Sequence, residues 1–181
     1  MSTWGVASPT RARWSDTSAV SPRSSAAPDP RAKISTIVPV FVDTNVLVYA
    51  RDAADLGKQA TAAAWMKHLW TVAAGRLSVQ VLQEYYVTVT RKLDPGMSAD
   101  EAREDVRDLA AWRPVRVDES IVESAWRLED RYQLSFWDAL IVAAAQTMGC
   151  ETLLTEDLQH GLEIDGLRIA DPFQTPIGSF S

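Results

Sequence analysis

The sequence predicts an α/β protein, a three-layer α/β/α arrangement around a central, mostly parallel sheet. Three observations carry that expectation. From Ile37 onward, short β-branched runs alternate with stretches of helical periodicity, capping residues fall at the junctions, and 46% hydrophobic content in 181 residues suffices for one good core. Strand and helix in alternation return each strand parallel to the one before, with the helices on the faces.

Residues 37–43 (IVPVFVD) form a β-branched run ending at Asp43, and NVLVYA continues it as a helical turn or helix. A helical pattern runs over 56–74 through Ala60, Ala63, Ala64, Trp65, Met66 and Leu69, with Gly75 as the helix stop. Ser78 caps a helix to about Leu93, which the turn DPG at 94–96 ends. Ser98 and Glu101 read as a capping box opening the next helix. PVRV at 114–117 is a strand candidate, and Asp118 caps a helix to about Tyr132. Ser135 opens the helix FWDALIVAAAQTM, with Gly149 at its end. TLLT at 152–155 and LRIAD at 167–171 read as strands. A single folded domain is expected over 37–175, with a tail at 176–181.

Residues 1–36 are rich in Ser, Ala, Pro, Thr and Arg and show no periodicity, so a disordered extension that adds nothing to the core is expected there. It has no apolar stretch of the secretory kind. Its basic, hydroxyl-rich character resembles an organelle transit peptide, and a nonessential extension or an early start codon explains it as well. The extension carries five basic and two acidic side chains, a balance of +3, so the overall charge of −6 leaves −9 on the remainder. An acidic body argues against nonspecific coating of nucleic acid, which works through clustered Lys and Arg, and welcomes a basic partner. The apolar runs are too interrupted for a membrane span. The single cysteine, Cys150, reads as a small buried hydrophobe, and the lack of a disulfide framework points to a reducing cytoplasm.

Three carboxylates each stand alone in an apolar run: Asp43 between Lys33 and Arg51, Glu84 between Arg76 and Arg91, Asp138 between Arg131 and Glu151. An unpaired carboxylate in an apolar interior must shift its pKa or find a cation. None of these runs holds Lys, Arg or His, so a metal ion is the expected partner. Asp43 ends one strand, and Thr155, Glu156 and Asp157 end another, on the edge where ligands collect in such sheets. Taken singly, each acid has a structural reading: Asp43 as a helix cap, Asp138 as the reciprocal member of a capping box with Ser135, Asp157 as a turn cap, Glu84 as a snorkelling side chain. Together they are better explained by a hard cation, Mg²⁺ or Mn²⁺, because two carboxylates about 4 Å apart repel by about 4 kcal/mol at an effective dielectric of 20. Zinc would call for Cys or His, and Cys150, His68 and His160 are not at ligand spacing.

VFVDTNVLVYA, SVQVLQEYY, SFWDALIVAAA and LLTEDLQHG, in that order, resemble a PIN domain, in particular the VapC-type toxins of bacterial toxin–antitoxin pairs. The resemblance spans roughly Ile37 to Phe173. Position by position, it implies that the four acids of the family fall on Asp43, Glu84, Asp138 and Asp157, with Glu156 an adjacent alternative for the fourth. Asn45 matches the polar residue after the first acid, and Thr155 the hydroxyl near the fourth. The resemblance further implies a Mg²⁺- or Mn²⁺-dependent endoribonuclease, an RNA substrate, a homodimer and a small inhibitory antitoxin. Rival readings are an antitoxin-free PIN nuclease in RNA processing, a phosphatase of the haloacid dehalogenase type and a noncatalytic RNA-binding module. The phosphatase chemistry needs a second Asp two residues after the first, where this chain has Asn45. Arg51, Arg91, Lys92 and Arg113 are candidates for phosphate contact, with solvated surface charge the simpler reading of any one. Trp65, Trp70, Trp112 and Trp126 sit in helical patterns that usually belong to the core, with a dimer or antitoxin groove the alternative for one or two of them.

Overall fold

The computed structural model describes Arg13, Trp14 and residues 37–180. Three short parallel strands lie side by side: β1 (Val40–Val42), β2 (Gly75–Arg76) and β3 (Thr152–Leu154). β4 (Glu163–Ile164) and β5 (Leu167–Ala170) complete a sheet of order β2-β1-β3-β5-β4, with β4 antiparallel to β5 and every other pair parallel. Phe41, Val42, Leu153 and Leu154 are inaccessible to solvent, which strands covered on both faces require. Burying side chains of this size contributes about 1.5–3 kcal/mol each.

Six helices flank the sheet: α1 (Thr44–Tyr49), α2 (Leu56–Val72), α3 (Val79–Arg91), α4 (Ala99–Leu109), α5 (Glu119–Tyr132) and α6 (Phe136–Thr147). α5 packs on α6, α6 on β3 and β5, and α1 on α2 and α3, in the three-layer α/β/α arrangement. The caps at Ser78, Ser98, Asp118 and Ser135 accept hydrogen bonds from backbone N–H groups of the first turn, and Glu101 closes a capping box on Ser98.

Four local expectations are corrected. PVRV is not a strand: Val115 makes one parallel bridge to Ser78, through Val79 N–H to Val115 C=O at 2.9 Å and Val115 N–H to Leu77 C=O at 3.0 Å. Ser78 is already the cap of α3, so the ladder has no extended partner to continue along. Gly75 is not the stop of α2, which ends at Val72 and is capped by Ala73 at φ 57°, but the first residue of β2. A Cβ there would lie 2.3 Å from the Trp112 ring, so the strand can pass only because the residue is glycine. Trp126 is exposed, whereas Trp65, Trp70 and Trp112 join the core.

Arg51 is the fourth correction. Far from reaching out for phosphate, it is buried and forms a two-pronged pair with Asp105 of α4, at 2.8 and 2.7 Å. The Tyr85 hydroxyl of α3 donates to the same carboxylate at 2.5 Å, and burial, with Asp105 alongside, pushes its pKa well up and keeps it a donor. Trp14 lies over the Arg51 guanidinium, 3.8 Å from ring centroid to Cζ, and is 8% exposed, while Arg13 pairs with Asp108 at 3.3 Å. These two described residues of the N-terminal segment therefore join the packing; the rest of the expected extension lies outside the described residues. At the other end Phe180 stacks on Trp65 with centroids 5.8 Å apart, so packing also runs past residue 175. Burial pushes the Cys150 thiol up to about 12, which suits an inert core residue.

Candidate functional site

Asp43 follows directly on β1 and caps α1, accepting from Thr44 N–H at 2.6 Å, so its carboxylate is fixed where strand turns to helix. Its own N–H donates to Leu154 C=O at 3.1 Å, which ties it to the carboxyl end of β3. Thr155, the next residue of that strand end, is buried and donates its hydroxyl to Asp43 Oδ2 at 2.8 Å. Asn45 Nδ2 donates to both Asp43 Oδ2, at 3.2 Å, and Thr155 Oγ1, at 2.9 Å. The Asp157 N–H also donates to Thr155 Oγ1, at 3.1 Å. Parallel pairing of β1 and β3 thus brings two chain segments 112 residues apart into one hydrogen-bonded corner.

Glu84 is presented by α3 and held at both oxygens: Thr44 Oγ1 donates to Oε2 at 2.9 Å and Gln80 Nε2 to Oε1 at 2.8 Å. Asp138, in the first turn of α6, receives the Ser135 hydroxyl on Oδ2 at 2.7 Å and donates its N–H to Ser135 Oγ at 3.2 Å. Ser135 is the cap; the Asp138 carboxylate takes its hydroxyl rather than its backbone N–H, so the expected capping box is not closed, and Asp138 faces the cleft. Asp43, Glu84, Asp138 and Asp157 all line one open cleft of about 750 Å³ together with Asn45, while Thr155 sits beneath it, bonded to Asp43. Glu156 does not line the cleft. It forms an ion pair with Lys58 at 2.5 Å and accepts from the Tyr49 hydroxyl, so a cation of the chain already occupies it. Of the candidate phosphate contacts, Lys92 lines the cleft and Arg51, Arg91 and Arg113 do not.

The partners of the acids are neutral hydroxyls and amides: Thr44, Asn45, Gln80, Ser135 and Thr155. They orient charge without cancelling it. Among the described residues, no three Asp, Glu, His or Cys side chains close on a common point as a preformed metal cage. Two acceptors of the cleft, Asn45 Oδ1 and Gln80 Oε1, are buried with no hydrogen-bond partner. Thr44 and Gln80 escape a reading of the acids alone; the available signal was a glutamine one helical turn before the lone Glu84.

Burial raises the Asp43 pKa to about 7, opposed by the Thr155 and Thr44 hydrogen bonds and aided by the charges of Asp157 and Glu84. A carboxylate with its folded pKa raised binds protons more tightly in the folded state. Its burial therefore costs nothing below its unfolded value of about 4, and the cost grows as pH climbs to about 7. A shift of about three units corresponds to at most about 4 kcal/mol. In chelator, wild-type stability should fall across pH 4–7 relative to Asp43→Asn, by chemical denaturation at each pH; parallel curves would show that Asp43 does not titrate there.

A family model described as PIN domain matches residues 40–161. A search of curated proteins by sequence gives no match. Among solved structures, similarity is found to the crystal structure of Mycobacterium tuberculosis VapC20, a sarcin–ricin loop cleaving toxin, at 23% identity over 63% of this chain and 86% of that one, with a TM-score of 0.46.

Proposed function

We infer from one premise, that this chain belongs to the PIN domain family of nucleases, that its carboxylate cleft hydrolyses RNA phosphodiesters with Mg²⁺ or Mn²⁺ bound. The observation that carries this reading is the meeting of Asp43, Glu84, Asp138 and Asp157, from four separate segments, on one cleft beside the carboxyl ends of β1 and β3, with Asp52 a fifth acid on its lining. The donor set fits a hard cation: every candidate ligand is an oxygen, Asn45 Oδ1 stands unpartnered in a buried position, and Asp43 is held at a pKa that an adjacent cation would relieve. Without a preformed cage of three carboxylates, the cation would keep several waters, as Mg²⁺ does.

Asp43, Glu84, Asp138 and Asp157 would hold the cation directly or through those waters. When bound, such an ion supplies charge neutralisation at a phosphodiester and makes water a better nucleophile at neutral pH. The chain's own side chains do the positioning. Thr155 and Asn45 fix the Asp43 carboxylate, Thr44 and Gln80 fix Glu84, Ser135 fixes Asp138, and Lys92 offers a positive charge to a neighbouring phosphate. No side-chain nucleophile is required.

The order of the motifs and the −9 balance outside residues 1–36 favour a toxin whose small antitoxin offers Arg or Lys to the carboxylates, the toxin acting as a cytoplasmic homodimer. No described helix is long and apolar enough to cross a membrane. Purified protein should cleave single-stranded RNA with Mn²⁺ and lose that activity in chelator; induced expression in bacteria should arrest growth, and co-expression of the adjacent small gene should restore it. Cleavage without growth arrest, and without a copurifying small protein, would favour the antitoxin-free RNA-processing nuclease.

A further inference from the structure

The carboxylate cleft does not end at Asp138. It adjoins a second depression of about 570 Å³ lined by Val79, Gln80, Gln83, Arg116, Trp137 and Leu140, and Gln80, Gln83 and Trp137 line both. α3 runs under the pair, with Gln80 at one end and Lys92 just beyond the other, roughly 20 Å of helix at 1.5 Å per residue.

Three features of this second depression lack an explanation in the fold. Trp137 is 62% exposed, although its neighbours Ala139 and Leu140 are buried, and its ring touches Phe136 edge-on at 5.4 Å, which leaves indole surface uncovered. Gln80 is 8% exposed; its Nε2 holds Glu84, but its Oε1 is buried with no donor. A buried acceptor without a donor is unfavourable, so its retention asks for a donor that arrives with a ligand. Arg116 is exposed, and among the described residues no ion pair engages it, in a body of net charge −9.

We propose that this depression is a nucleoside subsite for the RNA residue next to the scissile phosphate: its base stacks on the Trp137 indole, its ribose 2′-hydroxyl donates to Gln80 Oε1, and the next phosphate meets Arg116. The assignment rests on the reading of the carboxylate cleft as a ribonuclease site. An aromatic face is a sequence-tolerant platform for an unstacked base. The choice of the 2′-hydroxyl follows from connectivity. Gln80 is hydrogen-bonded to Glu84, so its free oxygen lies beside the reacting phosphate, and the donor nearest to a phosphate in RNA is the ribose hydroxyl rather than a base edge. That hydroxyl is also what distinguishes RNA from DNA, and Gln80 would thereby be a specificity-determining residue.

The test uses the full chain in chelator, which prevents cleavage, and single-stranded oligoribonucleotides carrying 2-aminopurine at each position in turn. Wild-type protein should quench the fluorophore at one position. Trp137→Ala should abolish that quench and weaken binding about tenfold, and Trp137→Phe should restore most of both. A 2′-fluoro group at the quenched nucleotide accepts but cannot donate; it should weaken wild-type binding several-fold and leave Gln80→Met binding unchanged. Quenching and affinity that survive in Trp137→Ala, with Mn²⁺-dependent RNA cleavage intact, would overturn the subsite alone. A protein that neither binds nor cleaves these RNAs would overturn the subsite together with the ribonuclease reading.

Discussion

Asp105→Ala should cost about 3–5 kcal/mol of folding stability, because it leaves a buried charge without its partner. The carboxylate takes both prongs of Arg51 and the hydroxyl of Tyr85 at a site where all three residues are buried. Breaking one side of a buried pair leaves charge behind in a low dielectric, which is far costlier than never having had the pair. Tyr85 Oη would lose its shortest partner as well, and would be left beside the Arg51 guanidinium with the weak Met97 sulfur at 3.7 Å. Urea denaturation of wild type, Asp105→Ala and the paired replacement Arg51→Met/Asp105→Leu checks this. The double variant should recover most of the loss, because apolar side chains of similar volume can replace a buried pair at little net cost. A loss below about 1 kcal/mol for Asp105→Ala would show that the network contributes little.

Asp43→Asn is expected to act in the opposite sense on stability and activity. Changing a metal-holding carboxylate to an amide of the same shape should reduce Mn²⁺-dependent RNA cleavage by about a hundredfold or more, since changes in supporting residues alone reach 10–100-fold. The same variant loses the charge that burial penalises, so in chelator at pH 8 it should be no less stable than wild type. The two readouts separate a site residue from a structural one. Cleavage by the folded variant at the wild-type rate would remove Asp43 from the site. Thermal unfolding with added Mn²⁺ gives a second measure: a large upward shift for wild type and a much smaller one for Asp43→Asn.

What the sequence made legible was whatever is written in local pattern. Ser78, Ser98, Asp118 and Ser135 announce helix starts because a cap is a property of four consecutive residues. Asp43 and Thr155 end apolar runs, and parallel pairing of those runs was enough to place them together. The two-residue strands β2 and β4 left no period to detect, and Gly75 carries the same letter whether it stops a helix or lets Trp112 press on a strand. PVRV shows the converse, a strand-like pattern whose partner turns into helix after one bridge. Arg51 and Asp105 stand 54 residues apart, and Asp105 lies within ADEAREDVRDL, where one buried acid looks like its solvated neighbours. Trp14 was hidden in the same way, by a surrounding stretch that has no period. Gln80, Thr44 and Trp137 were passed over because a neutral side chain has no cost of burial to make it conspicuous. In the structure Thr44 and Gln80 hydrogen-bond Glu84, and Trp137 lines both depressions.

α1 is six residues long, about 9 Å at 1.5 Å per residue, with Asp43 as its cap at one end and Arg51 two residues past the other. So short a helix has no interior in which to absorb a displacement, and the indole of Trp14 over Arg51 bears on the same rigid rod that carries the first carboxylate. Any coupling between the two ends is reciprocal: if Trp14→Ala weakens Mn²⁺ binding by a given factor, Mn²⁺ binding tightens the docking of the tryptophan by the same factor.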